Sequence, residues 1–98
     1  MTQFRDLDPL LHSQLRLAVM SILIGVESAG FTWLKEKTGS TAGNLSVQIT
    51  KLKDDGYIEV DKSFSENYPQ TMCSITRLGR TKFQEYVNSL KDYLYPKA

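Results

Sequence analysis

The chain has 98 residues, which is enough for one modest hydrophobic core but not for two. Apolar residues make up 41% and charged residues 23% of it, as in an ordinary soluble domain. With 12 Lys and Arg against 11 Asp and Glu, the net charge of +1 gives no global preference for nucleic acid or membrane. An electrostatic binding surface therefore has to be local.

Neither secretion nor membrane insertion is indicated by the N-terminal third. Charged residues interrupt the opening stretch MTQFRDLDPLL where a signal peptide needs an apolar run, and the uncharged stretch 17–26 is too short to span a bilayer. The single cysteine, Cys73, has no partner for an internal disulfide, which suits a reducing compartment. We therefore expect a cytoplasmic protein.

The first predicted helix begins at Asp8, as N-cap, with Pro9 in the first helical position, and runs to about Ile24. Apolar residues cover most of its circumference rather than one stripe, which predicts burial on more than one side. A domain this small rarely encloses a helix completely, so a second subunit is a reasonable explanation. The candidate interface residues on this helix are Leu10, Leu17 and Met20.

Two short helices joined by a glycine-containing turn are predicted next. Thr32 is the expected cap of a helix over 33–38, Gly39 ends that helix, and Thr41 caps a second helix within 41–55. The second helix has one apolar face, with i, i+4, i+7 spacing, formed by Leu45, Ile49 and Leu52. This arrangement fits the helix-turn-helix pattern.

A β-hairpin is predicted after Gly56. Alternation over 57–64 indicates a half-buried strand, 65–69 (SENYP) reads as a loop, and 70–75 as a second strand. The residues expected to face the core from the first strand are Ile58, Val60 and Phe64. Cys73 alternates inward on the second strand, which favours a buried, inert thiol over a redox sensor.

A last helix, capped by Thr76, spans about 19 residues and is therefore roughly 28 Å long. Because this is as long as the domain is wide, its C-terminal half is expected to overhang the core. That half still carries apolar residues, and an overhanging apolar stripe requires a partner. These residues, Val87, Leu90, Tyr93 and Leu94, predict a homodimer built from both chain ends.

The order of elements resembles the winged helix-turn-helix domain of MarR/ArsR-like transcriptional regulators. The resemblance rests on FTWLKEKTGSTAGNLSVQITKLKDDGYIEV (31–60), PQTMCSITRLGR (69–80) and FQEYVNSLKDYL (83–94). It implies one domain over 1–98, mainly α with a small β-hairpin (α+β), with an extended C-terminal dimerisation helix. Its parts would be a helix-turn-helix at about 32–55, a wing at about 57–75 and the last helix at about 76–94. A homodimer would place two recognition helices, 41–55, in successive major grooves of double-stranded DNA.

Four residues on the outer side of the recognition helix are candidates for contacts to base edges: Asn44, Val47, Gln48 and Lys51. The amide of Asn44 suits adenine or a phosphate, or else it bonds back to the preceding turn. Val47 suits a thymine methyl, although single exposed apolar residues are common. Gln48 either reaches a base or packs beside the first helix, and Lys51 either contacts guanine or phosphate or is merely solvated.

Candidates for phosphate and wing contacts are more numerous and less specific: Ser40, Thr41, Ser46, Lys53, Lys62, Asn67 and Tyr68. The first two lie at a helix N-terminus, which favours an anion. The wing tip carries Glu66 and no basic residue, unlike the Arg- or Lys-bearing tips of relatives, and Asp54 and Asp55 close the recognition helix. We therefore expect weaker and less salt-sensitive DNA binding than in a basic relative, because each lost phosphate contact removes about 0.9 from the salt slope.

Catalysis is not expected. The chain has one His and one Cys, too few for a zinc site of these ligands, and no P-loop, G-x-S-x-G or G-x-G-x-x-G motif, so no catalytic residue, metal or cofactor is predicted. The alternative to a DNA-binding regulator is a winged-helix protein-interaction module with weak or no DNA binding. An unidentified small-molecule effector would need a pocket between the terminal helices and the helix-turn-helix. Trp33 either lines a dimer or ligand pocket near the first helix or packs on the edge of the core.

Overall fold

The structure, a computed structural model, describes residues 3–97. Its helices are α1 (Gln14–Leu23), α2 (Phe31–Thr38), α3 (Ala42–Asp54) and α4 (Arg77–Leu94). Its strands are β1 (Ala29–Gly30), β2 (Ile58–Ser65) and β3 (Tyr68–Ile75), joined in one antiparallel sheet of order β1-β3-β2. This is the predicted α+β winged-helix fold, and it extends over 58 × 25 × 21 Å.

The N-terminal helix is shorter than predicted. Asp8 caps a turn rather than a helix: its carboxylate accepts from Leu10 N at 2.9 Å, and its carbonyl accepts from the main-chain N–H groups of Leu11 and His12. The chain is then extended at Ser13, and α1 starts only after it. The prediction of a helix from Asp8 was wrong because an Asp-Pro pair starts a turn as readily as a helix.

A third strand was absent from the prediction. Ala29 pairs with Cys73 and Gly30 with Met72, so that β1 closes one side of the wing. Gly30, not Thr32, is the N-cap of α2, which begins directly at Phe31 and has no side-chain cap. Two residues are too few to show alternation, so only the tertiary pairing reveals this strand.

The wing is a regular hairpin in which β2 and β3 pair over eight residues each. Its turn is only two residues long, Glu66 and Asn67, with φ of 52° and 68°, rather than the five-residue loop predicted. Positive φ at both central residues is typical of tight hairpin turns whose twist matches the strands. Phe64 was predicted to face the core but is 78% exposed, because the hairpin extends beyond the core.

The core lies between α1, α3 and the base of the wing. The predicted core face of α3 is confirmed, since Leu45, Ile49 and Leu52 are buried. Cys73 is also fully buried, as expected. Met20 is completely buried by its own chain, so it is unavailable to a second subunit and its assignment to a dimer interface is corrected.

Exposed apolar residues, as an overhanging helix requires, lie at the end of α4 and directly after it. Tyr93, Leu94 and Tyr95 are 43%, 60% and 76% exposed. The N-terminal segment lies against this region: Arg5 Nε is 2.7 Å from a carboxylate oxygen of Asp92, and the hydroxyl of Tyr93 donates to the Arg5 carbonyl at 2.7 Å. We call residues 87–95 the arm.

Candidate nucleic-acid interface

Helix α3 is amphipathic, and its buried side fixes the orientation of its outward face. Its three core residues anchor the helix, and Val47, on the other side, is 51% exposed. Asn44 and Lys51 are exposed beside it. The face is thus polar around one aliphatic residue and free to meet another molecule.

The turn before α3 fixes where that helix begins. Gly39 has φ 67°, the left-handed conformation that ends α2, and the Thr41 hydroxyl accepts from Asn44 N at 3.1 Å. This confirms Thr41 as the N-cap. The half-buried hydroxyl of Ser40 bonds to that of Thr38 at 2.9 Å, so it is less free than expected for a phosphate contact.

A hydrogen-bond network links α1 to the start of α3. Nε of Arg16 donates to the Leu10 carbonyl at 2.6 Å, and its Nη1 donates to Oε1 of Gln48. Nε2 of Gln48 in turn donates to Oδ1 of Asn44 at 3.0 Å. Gln48 therefore packs beside the first helix, one of its two expected roles. Sequence reasoning missed Arg16; the only signal was a lone basic residue within an apolar helix.

The remaining candidates on α3 are exposed. Lys51 and Lys53 make no ion pair with any of residues 3–97, and Ser46 is also exposed. The carbonyl of Ser46 accepts from the Thr50 hydroxyl at 2.9 Å. The positive charges of these two lysines, near the C-terminal end of α3, interact favourably with the helix dipole. The negative charge of Asp54 at the same end interacts unfavourably with it.

The wing presents a mixed surface. Lys62, Asn67 and Tyr68 are exposed, the last to 72%. Exposed Phe64 adds a second aromatic ring, which sequence reasoning had placed inside. The charged residue next to Asn67 in the turn is Glu66, which is acidic. The wing tip can therefore offer van der Waals and hydrogen-bond contacts but little positive charge.

The predicted interface residues divide into two groups. Leu10, Leu17 and Leu90 are half-buried and pack at the edge of the chain's own core, and Val87 is also half-buried. Tyr93 and Leu94, on the arm, are exposed. The arm therefore offers the larger free apolar surface.

An open cleft of about 370 Å³ lies between α1 and the helix-turn-helix. It is lined by Ser13, Gln14, Leu15, Ala18, Thr38, Ser40, Asn44 and Gln48. The small-molecule effector stays a prediction. Trp33 is 42% exposed on α2, with the Lys37 ammonium 5.6 Å from its ring, and lines a different cleft beside β3. Within residues 3–97 no group of three or more potential metal ligands occurs, and no helix is long and apolar enough to cross a membrane.

Comparison with known proteins identifies the fold. Residues 15–94 match the family model of the winged helix DNA-binding domain. The chain belongs to this family. It is 36% identical over 76 residues to an uncharacterized protein of Methanocaldococcus jannaschii, a match that covers 78% of this chain and 83% of the relative.

Solved structures agree with this family assignment. A transcriptional regulator homologue from Pyrococcus horikoshii superposes with a TM-score of 0.81 at 27% identity, covering 87% of this chain and 84% of its own. The transcriptional regulator BldR from Sulfolobus solfataricus has a TM-score of 0.72 at 17% identity, covering 84% and 58%. The family of this winged-helix protein is therefore that of a DNA-binding domain, and its fold is that of transcriptional regulators rather than of enzymes.

Proposed function

We propose that the winged-helix protein is a cytoplasmic, homodimeric transcriptional regulator that recognises a specific DNA sequence with α3 in the major groove. The observation that carries this proposal is the outward face of α3, where Asn44, Val47 and Lys51 are exposed opposite a buried core face. A helix presented in this way fits a major groove, which is wide enough to admit one.

The candidate site residues keep distinct roles in this proposal. Asn44, Val47, Gln48 and Lys51 would contact bases. Around them, Ser40, Thr41, Ser46, Lys53, Lys62, Asn67 and Tyr68 would contact phosphates and sugars. Because the wing tip is not basic, most of the affinity would come from shape and from the paired half-sites, and the salt dependence would be shallow.

The dimer supports recognition through its geometry. Two recognition helices reading one face of B-DNA must be about 34 Å apart, and a symmetric dimer provides this with two identical half-sites. The exposed apolar residues of the arm, Tyr93, Leu94 and Tyr95, are the natural contact surface for the second subunit.

The test begins with DNA that co-purifies with the protein, which is sequenced to find candidate operators. Binding to such an operator is then measured by fluorescence anisotropy over a range of salt concentrations. The double variant Lys51→Glu plus Gln48→Ala should abolish specific binding with the fold and dimer intact. A matched control, Lys97→Glu plus Gln84→Ala, makes the same chemical changes at exposed positions outside α3 and should bind normally. Normal operator binding by the α3 double variant would refute α3 as the reader.

A protein-interaction module is the second candidate, and the exposed aromatic rings of Phe64 and Tyr68 on the wing favour it. Such rings are enriched at protein interfaces. Under this alternative the chain would show no measurable affinity for random DNA even at low salt, and would co-purify with a protein partner whose binding Phe64→Ser weakens.

A further inference from the structure

We propose that Arg16 turns the start of α3 into a surface of hydrogen-bond donors, so that Asn44 selects guanine rather than adenine in each DNA half-site. This inference rests on the proposed function, in which α3 enters the major groove. It assigns a positioning role to a residue of α1 and a base identity to the site.

The first step is the orientation of the Gln48 amide. An arginine guanidinium has only donors, so the atom of Gln48 that faces Arg16 Nη1 has to be the carbonyl oxygen. Arg16 is itself held by its second bond, from Nε to the Leu10 carbonyl at 2.6 Å. Arg16 is half-buried and bonded to both partners, so the Gln48 amide has only one favourable orientation.

The orientation of the Gln48 amide in turn determines the orientation of the Asn44 amide. With its oxygen facing Arg16, Gln48 presents its NH₂ group to Asn44, and Nε2 lies 3.0 Å from Oδ1. The oxygen of Asn44 therefore faces the protein and its NH₂ group faces outward. Within residues 3–97 nothing accepts a hydrogen bond from Nδ2 of Asn44, which is exposed.

The third step is the match to a base. An asparagine free to rotate reads adenine with both ends of its amide, accepting from N6 and donating to N7. Here the oxygen of Asn44 already accepts one bond from Gln48, whereas the N–H groups of Asn44 and one remaining N–H of Gln48 have no acceptor within residues 3–97. Guanine presents two acceptors, O6 and N7, in the major groove, and no donor. A surface on which unpaired donors predominate therefore fits guanine better than adenine, whose N6 amino group needs an acceptor.

The experiment measures base discrimination rather than affinity alone. Operators are selected from a random duplex library with the full-length protein, and dissociation constants are measured for all four bases at each half-site position. The base that faces Asn44 is the position whose discrimination Asn44→Ala removes. At that position the wild type should prefer guanine over adenine by about 5- to 100-fold, the range expected of a well-formed base contact.

Two variants interrupt the network at different points. Arg16→Met frees the oxygen of Gln48, and Gln48→Met removes the link to Asn44 without removing Arg16 from the Leu10 carbonyl. Each should lower the preference for guanine over adenine at that position several-fold. Lys53→Met removes a positive charge from an exposed position of the same helix and should weaken binding to all four bases equally. Circular dichroism checks that each variant is folded, and Gln48→Met keeps the test decisive if Arg16→Met does not fold.

Each outcome is decisive. Guanine selection that depends on both Arg16 and Gln48 supports the inference. A wild-type preference for adenine at the Asn44 position, or a guanine preference retained in the folded variants, overturns it while the proposed function stands. Equal weakening for all bases in Asn44→Ala makes Asn44 a phosphate contact and also overturns it. If the wild type binds no DNA, both the proposed function and this inference fail.

Discussion

Gly79, in the first turn of α4, lies directly against the carbonyl group of Tyr57. A Cβ atom at position 79 would be 2.0 Å from that carbonyl oxygen. At the same junction the Thr76 hydroxyl accepts from Gly79 N at 3.0 Å and donates to the Gly56 carbonyl at 2.6 Å. The start of α4 is therefore seated on the segment between α3 and β2, and only glycine permits this close approach.

Replacing Gly79 with alanine should destabilise the protein. Because the atom in the way belongs to the main chain, the junction has to shift, and we expect Gly79→Ala to lower the free energy of unfolding by about 1–3 kcal/mol or more. The matched control is Gly43→Ala on α3, where an added Cβ meets nothing within 4 Å. It should be neutral or raise stability by up to about 1 kcal/mol. Urea unfolding of both variants measures this, and equal stabilities would contradict the packing described.

Alkaline pH should destabilise the fold through Tyr57. Burial, and then the hydrogen bond that its hydroxyl donates to Asp8, raise the pKa of Tyr57 well above its ordinary value of 10.0. A raised pKa in the folded state means that this stabilisation is complete below about pH 10 and is lost as the pH rises further. Unfolding free energies measured between about pH 8 and 11 should therefore fall above pH 10.

The control for that experiment is Tyr57→Phe. This variant should be less stable at neutral pH because it loses the bond to Asp8, but its stability should decline less steeply above about pH 10. Part of the decline should remain, since burial also raises the pKa of Tyr86. An unchanged slope in Tyr57→Phe would show that this hydroxyl does not carry the effect.

The thiol of Cys73 should be inert in the folded protein. The residue is fully buried, and burial raises its pKa to about 11, so that at neutral pH it is protonated as well as inaccessible. A thiol-reactive disulfide reagent should label it only as fast as the protein unfolds. Adding Ser63→Cys, at an exposed position of β2, provides an internal standard that reacts at once. Equal rates for the two thiols would refute burial of Cys73.

Self-association should depend on the arm. Leu94→Glu places a charge at an apolar residue that is 60% exposed, and we expect the mass in solution to fall from twice 11.1 kDa to the monomer value. Val47→Glu changes another exposed aliphatic residue, on α3, and should remain dimeric. Light scattering coupled to gel filtration measures both masses. A dimeric Leu94→Glu protein would exclude the arm as the interface.

Features set by neighbouring residues could be predicted from the sequence. The caps Thr41 and Thr76 and the buried face of α3 follow from local hydrogen bonding and from a 3.6-residue period. Both helices are therefore found within a residue or two of their predicted ends.

Features that depend on distant parts of the chain could not be predicted from the sequence. Gly30 becomes a strand residue only because Met72 is there to pair with it. Phe64 follows the alternation of a buried strand, but the hairpin continues past the core. Arg16 and Gln48 are 32 positions apart, and no local pattern indicates that α1 would support the outward face of α3.

The seating of α4 has a mechanical consequence. The helix is one rigid body of 18 residues, about 27 Å long, which is seated at Gly79 on the segment that follows α3 and carries the arm at its other end. Tilting it by 10° about Gly79 moves its far end by about 4 Å. In a dimer joined through the arms, a small change in their crossing angle would alter the distance between the two α3 helices by several ångströms. The protein could thus lose its register with two half-sites without any change inside the helix-turn-helix itself.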